Sequence, residues 1–269
     1  MRDHLLQLVS SAPAEERRNL SREYLQVYLL RLLQETHAMD RMAFVGGTAL
    51  RLLYRLPRFS EDLDFSLIPA SRTTAAFDPV EVFAGVKLRL ERAGYSVTAR
   101  VRSDRTVASC FFRFAGLARE IGWSHDARAL VAVKLEIDTN PPAGARLLQS
   151  PILRFFPVAV RHHDPPSLFA GKIHALLCRP YAKGRDWFDL LWYLSEQPGL
   201  APNTELLANA LKQSGRDRAM ARRWRAALRA RLDEIDWEEA LRDLRPFVER
   251  SDDLQVFDKE MVARRLKGA

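Results

Sequence analysis

Two glycines followed, fifteen residues on, by two acids one residue apart constrain this chain more than any other stretch of it. The segment reads FVGGTALRLLYRLPRFSEDLDFSL, from Phe44 to Leu67. Met42 to Val45 is a short apolar strand that ends at Gly46-Gly47. Thr48 can then cap a helix over ALRLLYR, which Pro57 stops. From Asp62 the chain alternates, so that Asp62, Asp64 and Ser66 share one face of a strand and Leu63, Phe65 and Leu67 the other. Asp-x-Asp alone says little; a glycine corner, a short helix and two carboxylates on one surface together describe a shape.

Leu20, Tyr24, Val27, Tyr28, Leu30 and Leu33 recur at helical spacing and predict one opening helix over about 15–38. A helix near Val80 to Ala93 follows, then alternating segments over 95–101 and 107–114, and a third strand, LVAVKLEIDTN, over 130–140. In that strand Val131, Val133, Leu135 and Ile137 face one way, and Lys134, Glu136 and Asp138 the other. Beyond Pro141-Pro142 the character changes, and after Pro165-Pro166 nearly everything reads helical, including an Arg-rich helix near Arg216 to Leu232. The expected architecture is α/β (α+β), with an α/β region over 1–160 and a helical one over 161–269.

With 269 residues and 47% hydrophobic content the chain can build a real core. Its 42 Lys and Arg against 34 Asp and Glu leave a net charge of +8, which favours a nucleotide or polyanion as partner. Cys110 and Cys178 stand far apart, without ligand spacing, and exclude a disulfide framework and a structural zinc site. No apolar run approaches a membrane span and no cleavable leader is visible, so a cytoplasmic protein is expected.

Nucleotidyl transfer builds charge on non-bridging oxygens and on the leaving pyrophosphate, and rigid carboxylates holding divalent ions offset it. Asp62 and Asp64 suit a pair of Mg²⁺ ions roughly 3.5–4 Å apart. A third acid from another strand would complete the set: Glu136 and Asp138 both qualify, and Glu136 is preferred. Gly46 and Gly47 let the backbone approach a triphosphate closely, and Thr48 or Ser60 can offer a hydroxyl to a phosphate oxygen.

GGTALRLLYRLPRFSEDLDF, then VKLEID, FAGKIHALLCR and KGRDWFDLLWYL, resemble the AbiEii/AbiGii and MenT group of toxin nucleotidyltransferases, within the DNA polymerase β-like superfamily. The resemblance implies a polymerase β-like mixed sheet and a helical C-terminal lobe with the nucleotide between them. It implies a Mg²⁺-dependent enzyme, with NTP as substrate and the tRNA 3′ end as acceptor, and a cognate antitoxin. Carried over by position, Asp62 and Asp64 hold metal, Lys172 neutralises triphosphate charge, Asp186 belongs to the active centre and Arg185 assists with phosphate. Where relatives commonly show Tyr-Gly, this chain has Tyr54-Arg55.

Other residues read more plainly. Lys172 is placed at the start of a helix, where the dipole disfavours a cation unless an anion is near. Arg58 pairs with Glu61 at the surface or positions phosphate. Ser60 is a loop hydrogen-bonder, or a site where a phosphate would add negative charge beside Asp62. His162 and His163 read as surface residues and His174 as a packed helix residue. Trp187, Phe188, Leu191 and Trp192 read as core. The run from Lys212 to Arg231 is a solvated helix face or a phosphate-tracking patch. Two alternatives stay open: transfer to a protein hydroxyl or a small molecule, and a catalytically silent RNA-binding module.

Overall fold

The computed structural model of the chain describes residues 1–69, 76–126, 128–181 and 183–267. It separates into two units, one comprising Met1–Leu53, Ser60–Asn140 and Gln149–His162, the other Tyr54–Phe59, Pro141–Leu148 and His163–Ala269.

The first unit carries α1 (Arg2–Ser10), α2 (Ala14–Glu35), β1 (Met42–Val45), α3 (Gly46–Tyr54), β2 (Asp62–Leu67), α4 (Pro79–Arg92), β3 (Val97–Arg102), β4 (Val107–Phe114), α5 (Leu117–Glu120), β5 (Val131–Asp138), β6 (Leu147–Ile152) and β7 (Val158–His163). The strands form one mixed sheet in the order β3-β4-β5-β2-β1-β7-β6. β2 runs antiparallel to β1 and parallel to β5, and β4 pairs antiparallel with both β3 and β5.

The period-2 pattern decides which face is covered. Leu63, Phe65, Val131, Val133, Leu135 and Ile137 are fully or almost fully buried, while Asp62, Asp64, Lys134 and Glu136 on the other side keep partial exposure. α2 packs against β5, and α4 against β3 and β4. α2 is no one-sided helix: every residue from Ser21 to Leu30 is buried, including Arg22, Glu23 and Gln26.

Two strands escape the sequence pattern. β6 and β7 lie in what reads as a proline-rich break, and Pro151 within β6 argues against a strand. The sheet tolerates it because β6 is terminal in the strand order, where an edge residue need not donate on both sides. β7 also corrects the reading of His162 as a surface residue: it is fully buried, its Nε2 3.0 Å from Ser150 Oγ, and His163 is nearly buried.

The second unit carries α6 (Pro165–Cys178), α7 (Gly184–Glu196), α8 (Thr204–Gln213), α9 (Trp224–Asp233), α10 (Trp237–Leu244), α11 (Asp253–Val256) and α12 (Lys259–Lys267). Asp164 starts α6 by accepting the Ser167 amide, with prolines in the first positions where no amide is needed. That places Lys172 in mid-helix, so the dipole argument for an anion beside it falls. The Arg-rich stretch is a short 3₁₀ turn, Arg218–Ala221, capped by Asp217, followed by α9, and not one continuous helix. Trp187, Phe188 and Leu191 are core as read, and Phe169 stacks on Tyr193 with ring centroids 4.3 Å apart. Gly184 admits no side chain: a Cβ there would meet the Ala240 carbonyl oxygen at 1.8 Å, where α7 crosses α10.

Candidate active site

Strand register assembles the polar face of the first unit. Asp62 lies level with Lys134, Asp64 with Glu136 and Ser66 with Asp138 across the parallel β2–β5 pair. On the far side of β2, Asp64 is level with Val45, the last residue of β1 before the glycine corner. Gly46 has φ of 80° and abuts Asp64: a Cβ on it would meet Asp64 Oδ2 at 2.2 Å. The corner therefore needs glycine twice over, for the left-handed backbone and for the carboxylate seated against it. Gly47 is buried in the first turn of α3.

α2 and α3 fix the approach to Asp62. The Gln26 side-chain amide donates to the Ser60 carbonyl at 3.0 Å, and Arg22 lies 3.3 Å from Glu61. The buried Glu23 takes Arg51 of α3 at 2.6 Å. The Thr48 hydroxyl, fully buried, donates to the Asp62 carbonyl. Thr48 is thus neither the cap of α3, which begins at Gly46, nor presented to a phosphate; its hydroxyl ties the glycine corner to the acid strand.

The donor set has the chemistry of a hard-cation site in part. Asp62 and Asp64 offer carboxylate oxygens on one face, and Mg²⁺ is commonly held by one or two carboxylates with water and substrate phosphates supplying the rest. No group of three His, Cys, Asp or Glu side chains is gathered as a ready cage among the described residues. Glu136 instead keeps its Oε1 2.6 Å from Lys134 Nζ. Asp138 accepts the Asn140 amide at 3.0 Å, and burial pushes its carboxyl above the usual range despite that bond.

The second unit holds Lys172 and Asp186, and joins them to residues that the spacing does not announce. Lys172 Nζ lies 2.7 Å from Asp189 Oδ2 and 3.1 Å from Asp186 Oδ1. Arg58 grips Asp189 with two hydrogen bonds of 2.6 Å, and Arg179 pairs with the other oxygen of Asp186. Arg58, 2% exposed, is therefore not a surface partner of Glu61. Burial works against the Lys172 ammonium, yet Asp189 and Asp186 outweigh it and raise its pKa. Burial likewise works against the Asp186 carboxylate, and Lys172 with Arg179 outweighs it and lowers the pKa. Arg185 spans Asp243, at 3.4 Å, and the Phe247 ring, 4.1 Å from its centroid.

Asp189, Arg58 and Arg179 are the cluster members that reading by motif missed. The one available signal was Asp189 three residues after Asp186 on the same helix, which puts both carboxylates on one side. His174 is partly buried, with Nε2 2.8 Å from Ser214 Oγ and a pKa lowered chiefly by burial.

The family described as "Nucleotidyl transferase AbiEii toxin, Type IV TA system" matches residues 28–259. Two solved structures share the fold. One is a Helicobacter pylori protein described as a presumed nucleotidyltransferase, 22% identical, with a TM-score of 0.52, covering 92% of this chain and 90% of its own. The other, JHP933 from Helicobacter pylori, has the same identity and TM-score and is covered over 88% of its length. No curated protein matches the chain.

Proposed function

The chain belongs to the AbiEii nucleotidyltransferase toxin family of type IV toxin–antitoxin systems, and from that premise we propose that it moves NMP from an NTP to the 3′ end of tRNA with Mg²⁺ as cofactor. That it is a nucleotidyltransferase follows from the family; the acceptor, the metal and the residue roles are the proposal. The observation that carries the roles is the polar face of the sheet, where Asp62 and Asp64 point the same way and Asp64 sits against Gly46. Both Asp62 and Asp64 would hold Mg²⁺. Bound there, the ion offsets charge on the phosphates and the leaving pyrophosphate.

The reaction joins a hydroxyl oxygen of the acceptor to the α-phosphorus and breaks the bond to the β-phosphate, releasing pyrophosphate; the hydroxyl proton passes to a carboxylate. Register favours Glu136 for that role, because it is level with Asp64, whereas Asp138 is level with Ser66. Lys134 Nζ lies 2.6 Å from that carboxylate. Gly46 and Gly47 serve the triphosphate by close backbone approach, and Ser60 offers a hydroxyl to a phosphate oxygen. In the helical unit, Lys172 and Asp186 keep the roles the resemblance gave them. Their cluster supports this by joining three cations to two carboxylates, an excess suited to an anion. Arg185, engaged by Asp243, is a positioning residue here.

No helix among the described residues is long and apolar enough to cross a membrane. The proposed setting is the cytoplasm, where the enzyme meets tRNA, NTP and a cognate antitoxin. The test is incubation with Mg²⁺, total bacterial tRNA and each α-³²P-labelled NTP in turn, beside Asp62→Ala. Label in tRNA that depends on Asp62 is expected; label in protein or in a small molecule with none in tRNA would sink the acceptor.

A further inference from the structure

Charge is segregated along one pair of helices in the helical unit. α9 and α12 run antiparallel: Arg225 Nη1, in the first turn of α9, donates to the Arg265 carbonyl at 3.2 Å, near the end of α12. At the other end Lys259, which begins α12, lies 3.7 Å from Asp233, which ends α9. The first end gathers Arg222, Arg223, Arg225 and Arg229 with Arg264, Arg265 and Lys267. The second gathers Asp233, Glu234, Asp258 and Glu260, where Arg231 pairs with Glu234 and Lys259 with Asp233.

The stretch that leads into and through α9 carries much of the molecule's net charge. Between Lys212 and Arg231 eight Lys and Arg face a single acid, Asp217, so this stretch supplies seven of the eight net positive charges of the chain. Trp224, Leu228 and Leu232 are buried, while Arg222, Arg223 and Arg229, like Arg264, Arg265 and Lys267, are exposed. Arg222, Arg229, Arg264 and Lys267 have no ion-pair partner among the described residues; Arg223 reaches Asp217 at 3.6 Å, with both side chains well exposed, a pairing worth little.

We propose that this end of the α9–α12 pair is a docking surface for the phosphate backbone of RNA. Clustered like charges repel one another, and a regularly charged polyanion relieves that repulsion. Arg225 to Arg229 extends about 6 Å at the rise of a helix, with Arg222 and Arg223 just before its first turn, enough to meet successive phosphates. Six of the seven cations are Arg, whose planar fork suits phosphate oxygens. A protein partner is disfavoured because its interface would need an apolar centre. None of the exposed large apolar side chains falls in 212–231 or 259–267 among the described residues. Trp224 is buried, so the surface offers no stacking platform; it tracks backbone and reads no base.

The inference rests on RNA being the acceptor, and its test separates the two ideas. Binding of a fluorescein-labelled RNA hairpin with a single-stranded 3′ end is followed by anisotropy between about 50 and 200 mM salt. Three proteins are compared: wild type, the Arg222→Gln/Arg229→Gln/Arg264→Gln triple variant, and a Lys87→Gln/Arg102→Gln/Arg128→Gln control with the same charge change in the sheet unit. The triple variant should bind at least about tenfold more weakly and lose about 2–3 from the log–log salt slope, at roughly 0.7–0.9 per phosphate contact. The control should match wild type. Arg229→Gln alone should lose roughly 0.7–0.9 of slope, which guards against an unfolded triple variant.

Wild-type affinity and slope in the triple variant would overturn the proposal, as would an equal loss in the control. Binding of polyglutamate in place of RNA, lost in the triple variant, would overturn it in favour of an acidic protein. Label incorporated into tRNA with RNA binding untouched by the triple substitution would leave the acceptor standing and remove the surface. Binding lost in the triple variant with no label ever entering RNA would do the reverse.

Discussion

The polar face of the sheet and the ion cluster of the helical unit both consist of carboxylates with a few cations, yet they are built in opposite ways. On the sheet, Asp62, Asp64 and Glu136 keep partial exposure, and their positions come from strand register and from backbone ties to Thr48 and Gln26. In the cluster, Asp186 and Asp189 are almost wholly buried, and each of their oxygens meets a cation. Burying charges is costly unless they are paired, so the cluster commits its carboxylates to one another's partners. Partly exposed carboxylates keep some contact with solvent, so that cost is smaller for them. The difference teaches that backbone geometry fixes the sheet acids, whereas ion pairing fixes the cluster acids and ties helices α6 and α7 to the Arg58 segment.

That contrast breaks first at Asp64. Asp64→Asn keeps size and hydrogen-bonding capacity but removes the charge, and it should lower the initial rate of nucleotide transfer by about 10³-fold, a loss of the size seen when one charge-stabilising group is removed. The melting temperature should stay within about 2 °C of wild type, because the side chain keeps partial exposure. A collapse of stability together with activity would show that the polar face is structural after all.

Asp189→Asn is the mirror experiment. It leaves Arg58 and Lys172 buried with too little negative charge, which should cost about 3–5 kcal/mol. At about 2–4 °C per kcal/mol that is a fall of some 6–20 °C in melting temperature, read by calorimetry. A loss below about 1 kcal/mol would mean that water or a neighbouring group replaces Asp189, and that the cluster is less committed than its burial suggests. Gly184→Ala ranks next. Its Cβ would overlap the Ala240 carbonyl, so α7 and α10 must part, at about 1–3 kcal/mol in the urea midpoint. An unchanged midpoint would show that the crossing yields freely.

These examples also mark what was legible in the sequence. The acid pair, the glycine corner and the strand carrying Glu136 and Asp138 were readable because strand alternation and a left-handed glycine leave local signatures. The motifs around Lys172 and Asp186 carried the family resemblance for the same reason. The partners of those residues were not readable. Arg58 and Asp189 lie 131 positions apart, and nothing local to Arg58 distinguishes a buried grip from a surface pair with Glu61. β6 hid behind Pro151, since proline is tolerated on an edge whose existence only the sheet reveals. The all-round burial of α2 was equally hidden, because Arg22, Glu23 and Gln26 look like a solvent face until their partners at Glu61, Arg51 and Ser60 are known.

A smaller effect, over the ordinary pH range, sharpens the cluster side of the comparison. The Asp186 pKa is lowered on folding, so its contribution is present above the unfolded value of about 3.9 and is lost as pH falls through the folded one. The Lys172 pKa is raised, so its contribution is complete below about 10.4 and is lost as pH rises through the folded value. Between pH 5 and 7 the gap in urea midpoint between wild type and Asp186→Asn should therefore stay constant, and below about pH 4 it should narrow. A gap that closes already between pH 7 and pH 5 would mean that burial, and not Lys172 and Arg179, governs Asp186.

The smallest effect concerns Arg55, the residue just after α3. Its φ is 59° and its side chain is exposed, so a residue with a Cβ occupies left-handed backbone with little packing to compensate. That conformation costs an L-residue roughly 1–2 kcal/mol. Replacement by glycine removes the strain but adds about 0.5–1 kcal/mol of unfolded-state entropy, so the terms oppose and the strain is the larger. Arg55→Gly should raise stability by about 0.5 kcal/mol in the urea midpoint, and Arg55→Ala, which keeps the strain, should not. Equal midpoints for the two variants would show that the turn relaxes around any side chain. Stabilisation by glycine alone would show that this chain retains a strained turn just after α3, close in sequence to Arg58, whose guanidinium anchors the buried cluster.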